Sequence, residues 1–169
     1  MHRRNDCFVI EECGYGSVAM RHKTCFFIGH RNAPESLAPL IYEAVKRHII
    51  EYGVSEFVVG HYGHFDTFAA HAVREAKKHY PKVMLTLLTP YYPYTNDTSG
   101  YDATFYPPGM EDVPKPFAIV RANEYMIRTS DYLICYDRGQ IGKTRDYVEL
   151  AWKREKKGLI HVENLAEKL

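Results

Sequence analysis

The chain has 169 residues, of which 46% are hydrophobic and 25% are charged, values typical of one globular domain with a sizeable core. Its formal net charge of +1 argues against a dedicated nucleic-acid-binding protein and against a polybasic membrane anchor. No apolar run approaches the roughly 20 residues of a membrane span, and the N-terminus lacks the apolar segment of a secretory signal. We therefore expect a cytoplasmic protein without a membrane partner.

Residues 1–22 differ in character from the rest of the chain. They mix charges and glycines with two cysteines and one short apolar run, so an extra edge strand and a disordered extension are both open. The four cysteines, Cys7, Cys13, Cys25 and Cys135, show no CxxC spacing, and two of them fall in predicted strands. We expect buried, reduced thiols, as is usual in the cytosol.

A regular succession of strands and helices follows this extension. Residues 24–28 are a compact apolar run closed by Gly29, which predicts a buried strand. Apolar residues then recur at helical spacing from 37 to 49, after a proline suited to a first helical turn and before Gly53. This segment is predicted to be a helix.

The same alternation continues up to a long irregular segment. Residues 56–59 predict a second strand, helical spacing resumes from Phe68 to Ala76, and residues 83–88 predict a third strand. Residues 89–116 then break the pattern with six prolines, two glycines and many tyrosines. Because disordered segments usually lack aromatic residues, we expect an ordered flap or a partner surface here.

The last third of the chain returns to alternating elements. Residues 117–120 predict a short strand or the end of the flap, and residues 121–128 predict a short helix. A strand at 131–136, a helix to about Lys157 and a strand at 159–162 follow. Strands that alternate with helices through short turns indicate an α/β fold whose parallel sheet is covered on both faces.

Three loops should meet at the carboxyl edge of this sheet, because right-handed crossovers place all strand-to-helix loops there. They are residues 29–32, 60–66 and 139–146. Their glycines allow close backbone approach, and helix N-termini attract phosphate. Together with the helix of residues 121–128 they supply polar groups suited to phosphates and hydroxyls: Arg31, Lys143, Arg145, Asp66, Asp146, Glu149, Arg121, Asn123 and Glu124. The combination favours a nucleotide-like small molecule.

Other interpretations of these loops are open. Glycines after strands are often only turn formers, and Asp66 and Asp146 also suit helix N-termini. Gly139 and Gly142 do not have the spacing of a Walker A loop, and GxGxxG is absent, which argues against a P-loop NTPase.

Three histidines near the predicted edge hint at a metal. These are His30, His61 and His64, but no cysteine accompanies them and the nearby loops offer only one carboxylate, Asp66. Polar loop histidines that contact ligand or solvent fit better, so we expect neither a metal nor another cofactor.

Five short motifs together resemble the SLOG superfamily, which includes DprA/Smf DNA-processing domains, Lonely Guy phosphoribohydrolases and bacterial YpsA-like proteins. They are FFIGHR at 26–31, VGHYGHFD at 59–66, RxNxYM at 121–126, SDYLI at 130–134 and GKTR at 142–145. The YpsA-like branch is the nearest match. The resemblance covers roughly residues 23–163, leaving residues 164–169 as a tail, and implies a single Rossmann-like doubly wound parallel sheet with helices on both faces.

Lonely Guy enzymes cleave an N-glycosidic bond and carry the pattern PGGxGTxxE, with an upstream arginine. Sliding that pattern along this chain places Gly139 and Gly142 on glycine positions and Asp146 on the glutamate, with Arg121 within one residue of the arginine. Gln140 and Lys143 replace a glycine and the threonine, and no proline precedes Gly139. An extra positive charge favours holding a phosphate over cleaving beside it, and a shorter carboxylate reaches less far toward an oxocarbenium-like charge.

The resemblance therefore implies first a protein that binds or senses a nucleotide-derived molecule, second a phosphoribohydrolase that uses Arg121 and Asp146, and third a DprA-like nucleic-acid binder. The near-neutral charge argues against the third.

We expect a homodimer that uses the tyrosine-rich segment as a partner surface. The predicted ligand-binding residues are Gly29, His30, Arg31, Gly60, Gly63, Phe65, Asp66, Asn123, Glu124, Gly139, Gly142, Lys143, Thr144, Arg145 and Glu149.

Overall fold

The protein, seen in a computed structural model that describes residues 21–169, forms one six-stranded sheet. Its strands are β1 (Thr24–Gly29), β2 (Glu56–Val59), β3 (Met84–Leu88), β4 (Ala103–Phe105), β5 (Tyr132–Tyr136) and β6 (His161–Asn164). Its α-helices are α1 (Ala38–Ile50), α2 (His64–Lys77), α3 (Ala118–Thr129) and α4 (Lys143–Glu155). Short 3₁₀ turns cover Glu35–Leu37, Met110–Asp112, Lys115–Phe117 and Leu165–Lys168.

The strand order is β4-β3-β2-β1-β5-β6, and every neighbouring pair is parallel. The direction of strand addition reverses between β1 and β5, where Gly29 pairs with Tyr136. In open α/β sheets the ligand crevice lies at the carboxyl ends of the strands at such a reversal. The predicted fold class, a single Rossmann-like doubly wound parallel sheet, is confirmed.

Alternate residues of β1 pack against helices on opposite faces of the sheet. Cys25 and Phe27 belong to the core with α1 and α2, whereas Phe26 and Ile28 belong to the core with α3 and α4. A central parallel strand is buried on both faces, so its sequence is a continuous apolar run. This burial explains why β1 is recognisable from the sequence.

Two helices begin earlier than the sequence pattern indicates. α2 starts at His64 rather than near Phe68, after Gly63 in extended backbone (φ −170°, ψ 176°). The alternative of a strand at residues 117–120 is wrong, because Ala118 is already the first residue of α3. Residues 118–120 belong to the longer helix α3, which buries one face against the sheet. An apolar run of four residues alone does not distinguish such a helix from a strand.

The segment 89–116 contributes the edge strand β4, which the sequence analysis missed. Thr89 donates from its backbone N–H and its hydroxyl to the carbonyl of Phe105, at 2.8 and 3.0 Å. Asp102 accepts the Leu85 N–H at 2.7 Å and also pairs with Lys77. Three residues are too few to show the period-two alternation of a strand, which is why β4 gave no signal.

At the carboxyl end, the expected polar tail contains a 3₁₀ turn whose Leu165 is fully buried. The thiols of Cys25 and Cys135 are buried and free, and burial raises the pKa of both. Cys7 and Cys13 lie outside the described residues, as does most of the predicted extension 1–22. Within residues 21–169, no helix is long and apolar enough to cross a membrane.

Candidate functional site

A cavity of about 480 Å³ opens at the carboxyl ends of β1, β2 and β5. All three loops that the sequence analysis placed at this edge contribute to its walls. The predicted ligand-binding residues that line it are Gly29, His30, Arg31, Gly60, Gly63, Phe65, Asp66, Asn123, Gly142, Lys143 and Thr144. Phe26, Phe27, Ile28, Tyr62, Pro116, Ile119, Val120, Gln140, Ile141 and Tyr147 complete the lining.

The other predicted residues lie outside this lining: Glu124, Gly139, Arg145 and Glu149, together with the two candidate catalytic residues Arg121 and Asp146. Arg121 lies at a second, smaller cavity of about 360 Å³ on the other side of α3, and its side chain is 65% exposed. Asp146 is 63% exposed and lies 3.7 Å from the ammonium of Lys143. The structure therefore does not bring the two candidate catalytic groups together at the main cavity.

Two glycines allow the start of α2 to approach the end of β1. A Cβ on Gly29 would lie within 2.7 Å of three ring carbons of Phe65, and a Cβ on Gly63 would lie 2.8 Å from the Cα of Arg31. The N–H of His64 donates to the carbonyl of Arg31 at 2.9 Å, which fixes this approach. These glycines are required by packing, and they set the wall of the cavity.

The N-termini of two helices open onto the same cavity. α2 begins after Gly63 and α4 after Gly142, and no side chain caps either helix. Gly142 has a φ of 151° with open space where a side chain would be, so the backbone is bare there. Uncapped N–H groups and the positive end of the helix dipole favour an anion at both positions.

The loop that leads into α4 is held by Asp137, a residue that the sequence analysis did not single out. Its side chain is fully buried, and its oxygens accept from the N–H of Gly139 at 3.0 Å and from the guanidinium of Arg145 at 3.0 Å. Asn164 holds the Asp137 backbone from both sides, at 3.1 and 2.9 Å. The sequence signal that could have identified Asp137 is its position as an acidic residue between an apolar strand and a glycine loop.

The cationic side chains near the cavity differ in whether other side chains of the protein already bind them. Arg145 donates to Asp137 and to Glu149 and stacks 4.9 Å from the centre of the Trp152 ring. In contrast, the guanidinium of Arg31 has no hydrogen-bond or ion-pair partner among residues 21–169, although it lines the cavity. Within residues 21–169, Lys143 has an exposed pairing with Asp146 and no other ion pair. Among the described residues that line the cavity, Arg31 and Lys143 are thus the cations that can contact a ligand.

Asp66 is the carboxylate within the cavity wall. Its Oδ2 accepts the N–H of Tyr62 at 3.0 Å, which closes the loop between β2 and α2. Burial raises the pKa of Asp66 to about 6, although the Tyr62 hydrogen bond and the charge of His61 act in the opposite direction. A partly buried carboxyl that titrates near neutrality in a cavity is a common feature of functional sites.

An apolar wall faces these polar groups. Ile119 and Val120 of α3 and Tyr147 of α4 line it, and Tyr147 is hydrogen-bonded to Asn123. On the opposite side, burial raises the pKa of Tyr62 to about 12, with Tyr91 and Tyr94 adding to the effect. Tyr91 and Tyr94 of the segment 89–116 thus lie near Tyr62, which lines the cavity.

The histidines at this edge are not arranged around a metal. Nε2 of His30 accepts the Arg138 N–H at 3.2 Å and lies 3.7 Å from Asp137, and burial lowers the pKa of His30. In the part of the chain that the structure describes, no group of three or more His, Cys, Asp or Glu side chains is placed to hold a metal ion.

No family model matches the chain, and no curated protein matches its sequence. Among solved structures it resembles the molybdenum cofactor carrier protein of Chlamydomonas reinhardtii, with a TM-score of 0.53 and 14% identity, covering 83% of this chain and 89% of that chain. A second structure of the carrier from the same organism gives a TM-score of 0.50 and 14% identity, covering 86% and 92%. At this identity the likeness concerns the fold alone, and it agrees with the Rossmann-like architecture.

Proposed function

We propose that this protein binds a nucleotide or a nucleotide-derived small molecule in the cavity at the carboxyl edge of its sheet. The observation that carries the proposal is the convergence on one cavity of an uncapped α4 N-terminus, the two available cations Arg31 and Lys143, and an apolar wall. The volume of about 480 Å³ falls in the range of small-molecule sites.

The two sides of the cavity suit the two parts of a nucleotide. The bare backbone at Gly142 offers a donor to a phosphate and Lys143 adds a charge, whereas the Thr144 hydroxyl in the same lining donates to the carbonyl of Gly29 at 3.5 Å. Ile119, Val120 and Tyr147 form an apolar surface on which a planar base can pack. A phosphate and a base joined by a sugar span such a cavity from one side to the other.

The motif resemblance and the similar structures support the same proposal. We propose a distant relation to the SLOG superfamily, with the YpsA-like branch as the nearest match, from the order and spacing of the five motifs in the sequence. The similar structures are named for a carrier that holds a cofactor. Holding a ligand, rather than cleaving one, agrees with the positions of Arg121 and Asp146 outside the main cavity.

Removal of an available cation should weaken binding without affecting the fold. We expect Lys143→Ala and Arg31→Ala each to raise the Kd for a nucleoside 5′-monophosphate about fivefold, because each loses one charge-assisted contact to the phosphate. Isothermal titration and thermal shift with adenosine, guanosine, cytidine and uridine 5′-monophosphates measure the effect. Lys153→Ala, a change in an exposed lysine of the same helix, is the matched control and should bind as the wild type does. Absence of any shift in the wild type across this panel would reject the proposed function.

The phosphoribohydrolase alternative makes a separate prediction. If the chain cleaves nucleoside 5′-monophosphates, ribose 5-phosphate accumulates, and Arg121→Ala or Asp146→Asn abolishes its release. We expect no measurable release, because the two side chains lie outside the cavity and are mostly exposed. Turnover by the wild type that both variants remove would instead establish the enzyme.

The homodimer and the cytoplasmic location stay predictions. Tyr92, at 80% exposure, and Phe117 are exposed aromatic residues in and beside the tyrosine-rich segment, as a partner surface there requires. Sedimentation of the wild type and of Tyr92→Ser measures whether this surface joins two copies.

A further inference from the structure

We propose that Asp66 determines which phosphate esters this cavity accepts: its cavity-facing carboxylate oxygen takes a hydrogen bond from a sugar hydroxyl while the phosphate lies at the start of α4. This inference rests on the proposed function and deepens it. It predicts that the ligand is a ribosyl phosphate with free hydroxyls rather than any small anion of suitable size.

The two carboxylate oxygens of Asp66 have different surroundings. Oδ2 is occupied by the N–H of Tyr62 at 3.0 Å, which is the structural role of this side chain. Oδ1 has no hydrogen-bond partner among residues 21–169, and Asp66 is part of the cavity lining. Oδ1 is accessible to solvent, so a sugar hydroxyl that displaces water there gives it a hydrogen-bond donor.

The charge of Asp66 also restricts where a phosphate can lie in the cavity. Both helix N-termini at the cavity attract an anion, but the carboxylate of Asp66 lies in the first turn of α2 and repels a phosphate there, so the phosphate belongs at the N-terminus of α4, beside Lys143 and Gly142. Asp66 lies three residues after Gly63, at the α2 side of the cavity, whereas the apolar wall comes from α3 and α4. The group between a phosphate and an apolar base is the sugar, whose hydroxyls are the donors that a carboxylate prefers.

The other carboxylates that the sequence offered for this role are placed elsewhere. Asp146 is paired with Lys143 in solvent, and Glu149 is bound to Arg145. Neither of them lines the cavity. Among the described residues that line it, Asp66 is the acidic side chain.

The test uses the isosteric variant Asp66→Asn with matched ligands. An asparagine oxygen still accepts from Tyr62, so the loop is kept, while the cavity-facing group becomes a neutral amide. The probes are the nucleoside 5′-monophosphate that the wild type binds most tightly, its 2′,3′-dideoxy counterpart, and inorganic phosphate. We expect the wild type to prefer the hydroxylated ligand about tenfold and Asp66→Asn to reduce this preference to about threefold, because a charge-assisted hydrogen bond is about twice as strong as a neutral one and half the free energy of a tenfold preference corresponds to about threefold.

The binding results distinguish a failure of this inference from a failure of the proposed function. Inorganic phosphate should bind both proteins with similar affinity, because its site does not include Asp66. Equal binding of the two nucleotides by the wild type, or an unchanged preference in Asp66→Asn, would overturn this inference while leaving the proposed function in place. Failure of the wild type to bind any of the probes would overturn both.

The pH dependence gives an independent readout. The preference of the wild type for the hydroxylated ligand should fall as the pH drops through about 6, where Asp66 gains its proton, and should be flat in Asp66→Asn. Both nucleotides carry the same phosphate, so its own titration cancels in the ratio. His61 lowers the pKa of Asp66, and Asp66 in turn raises the pKa of Tyr62; the other charged or titratable side chains of the cavity lining are His30, Arg31, Lys143 and Tyr147. A preference that stays constant from about pH 5 to about pH 8, a range that includes the pKa of Asp66, would contradict the assignment.

Discussion

Gly29→Ala is expected to be the most destabilising single-methyl addition at the carboxyl edge of the sheet. The added Cβ would lie within 2.7 Å of three carbons of the Phe65 ring, a ring that is fully buried between β1 and α2. Gly29 is itself the last residue of β1 and pairs with Tyr136 of β5, so its backbone has little freedom to retreat. We expect a loss of about 3 kcal/mol or more in the free energy of unfolding.

The loss should appear as a fall in the urea midpoint and as a Tm about 6 to 12 °C lower, for a chain of this size. Gly139→Ala is the matched control. Gly139 has a φ of 79° and open space where its side chain would be, so its cost of about 1 kcal/mol is conformational only. Equal stability of the two variants would show that the Phe65 contact does not constrain β1.

Asp137→Ala is the second substitution with a large expected effect. It removes the buried acceptor of the Gly139 N–H and of the Arg145 guanidinium and leaves a void beside His30. Hydrogen bonds that involve a charged partner contribute about 1.5 to 3 kcal/mol each, and removal of the buried charge offsets part of their loss. We expect a net loss of about 3 kcal/mol and weaker nucleotide binding, because the loop that presents Gly142 is no longer held.

Asp137→Asn should fall between the wild type and Asp137→Ala, since the amide oxygen keeps one acceptor and the side-chain volume is unchanged. Asp146→Ala is the control, because its carboxylate is exposed and pairs only with Lys143. Exposed pairs of this kind contribute less than about 1 kcal/mol. Chemical denaturation and titration with a nucleoside monophosphate measure both effects. The role given to Asp137 is wrong if its alanine variant is as stable as that of Asp146.

Much of the fold was predictable because its central strands are buried on both faces. The segments 24–28, 56–59 and 131–136 are short apolar runs bounded by glycine or polar residues, and the structure has strands at all three. Parallel strands with short loops leave few possible topologies, since crossovers are right-handed. The meeting of the three loops at one edge of the sheet followed from this rule, and all three line one cavity.

The places where the prediction failed share a physical cause. β4 has three residues and lies at the edge of the sheet. Its pairing with β3 is supported by hydrogen bonds of Thr89 and Asp102, polar residues that a search for apolar runs does not detect. The first turn of α2 carries no side-chain cap, and its local signals, Gly63 before it and Asp66 within it, also suit a ligand-binding loop. Contacts made through space decide such elements, and a window of neighbouring residues does not contain them.

The sequence by itself determined the parallel sheet, the edge where loops and helix N-termini meet, and the residue types available there. Only the tertiary structure decided which of those residues face the cavity. Arg145 looked equivalent to Arg31 and Lys143 in the sequence, but buried Asp137 binds its guanidinium, whereas that of Arg31 has no partner among the described residues. The reason is that a side chain's availability depends on its partners, and Asp137 and Asn164 meet across 27 positions of the chain. Local periodicity determines the strands and helices and their order along the chain. Burial and side-chain pairing at the edge of the sheet determine which residues can contact a ligand.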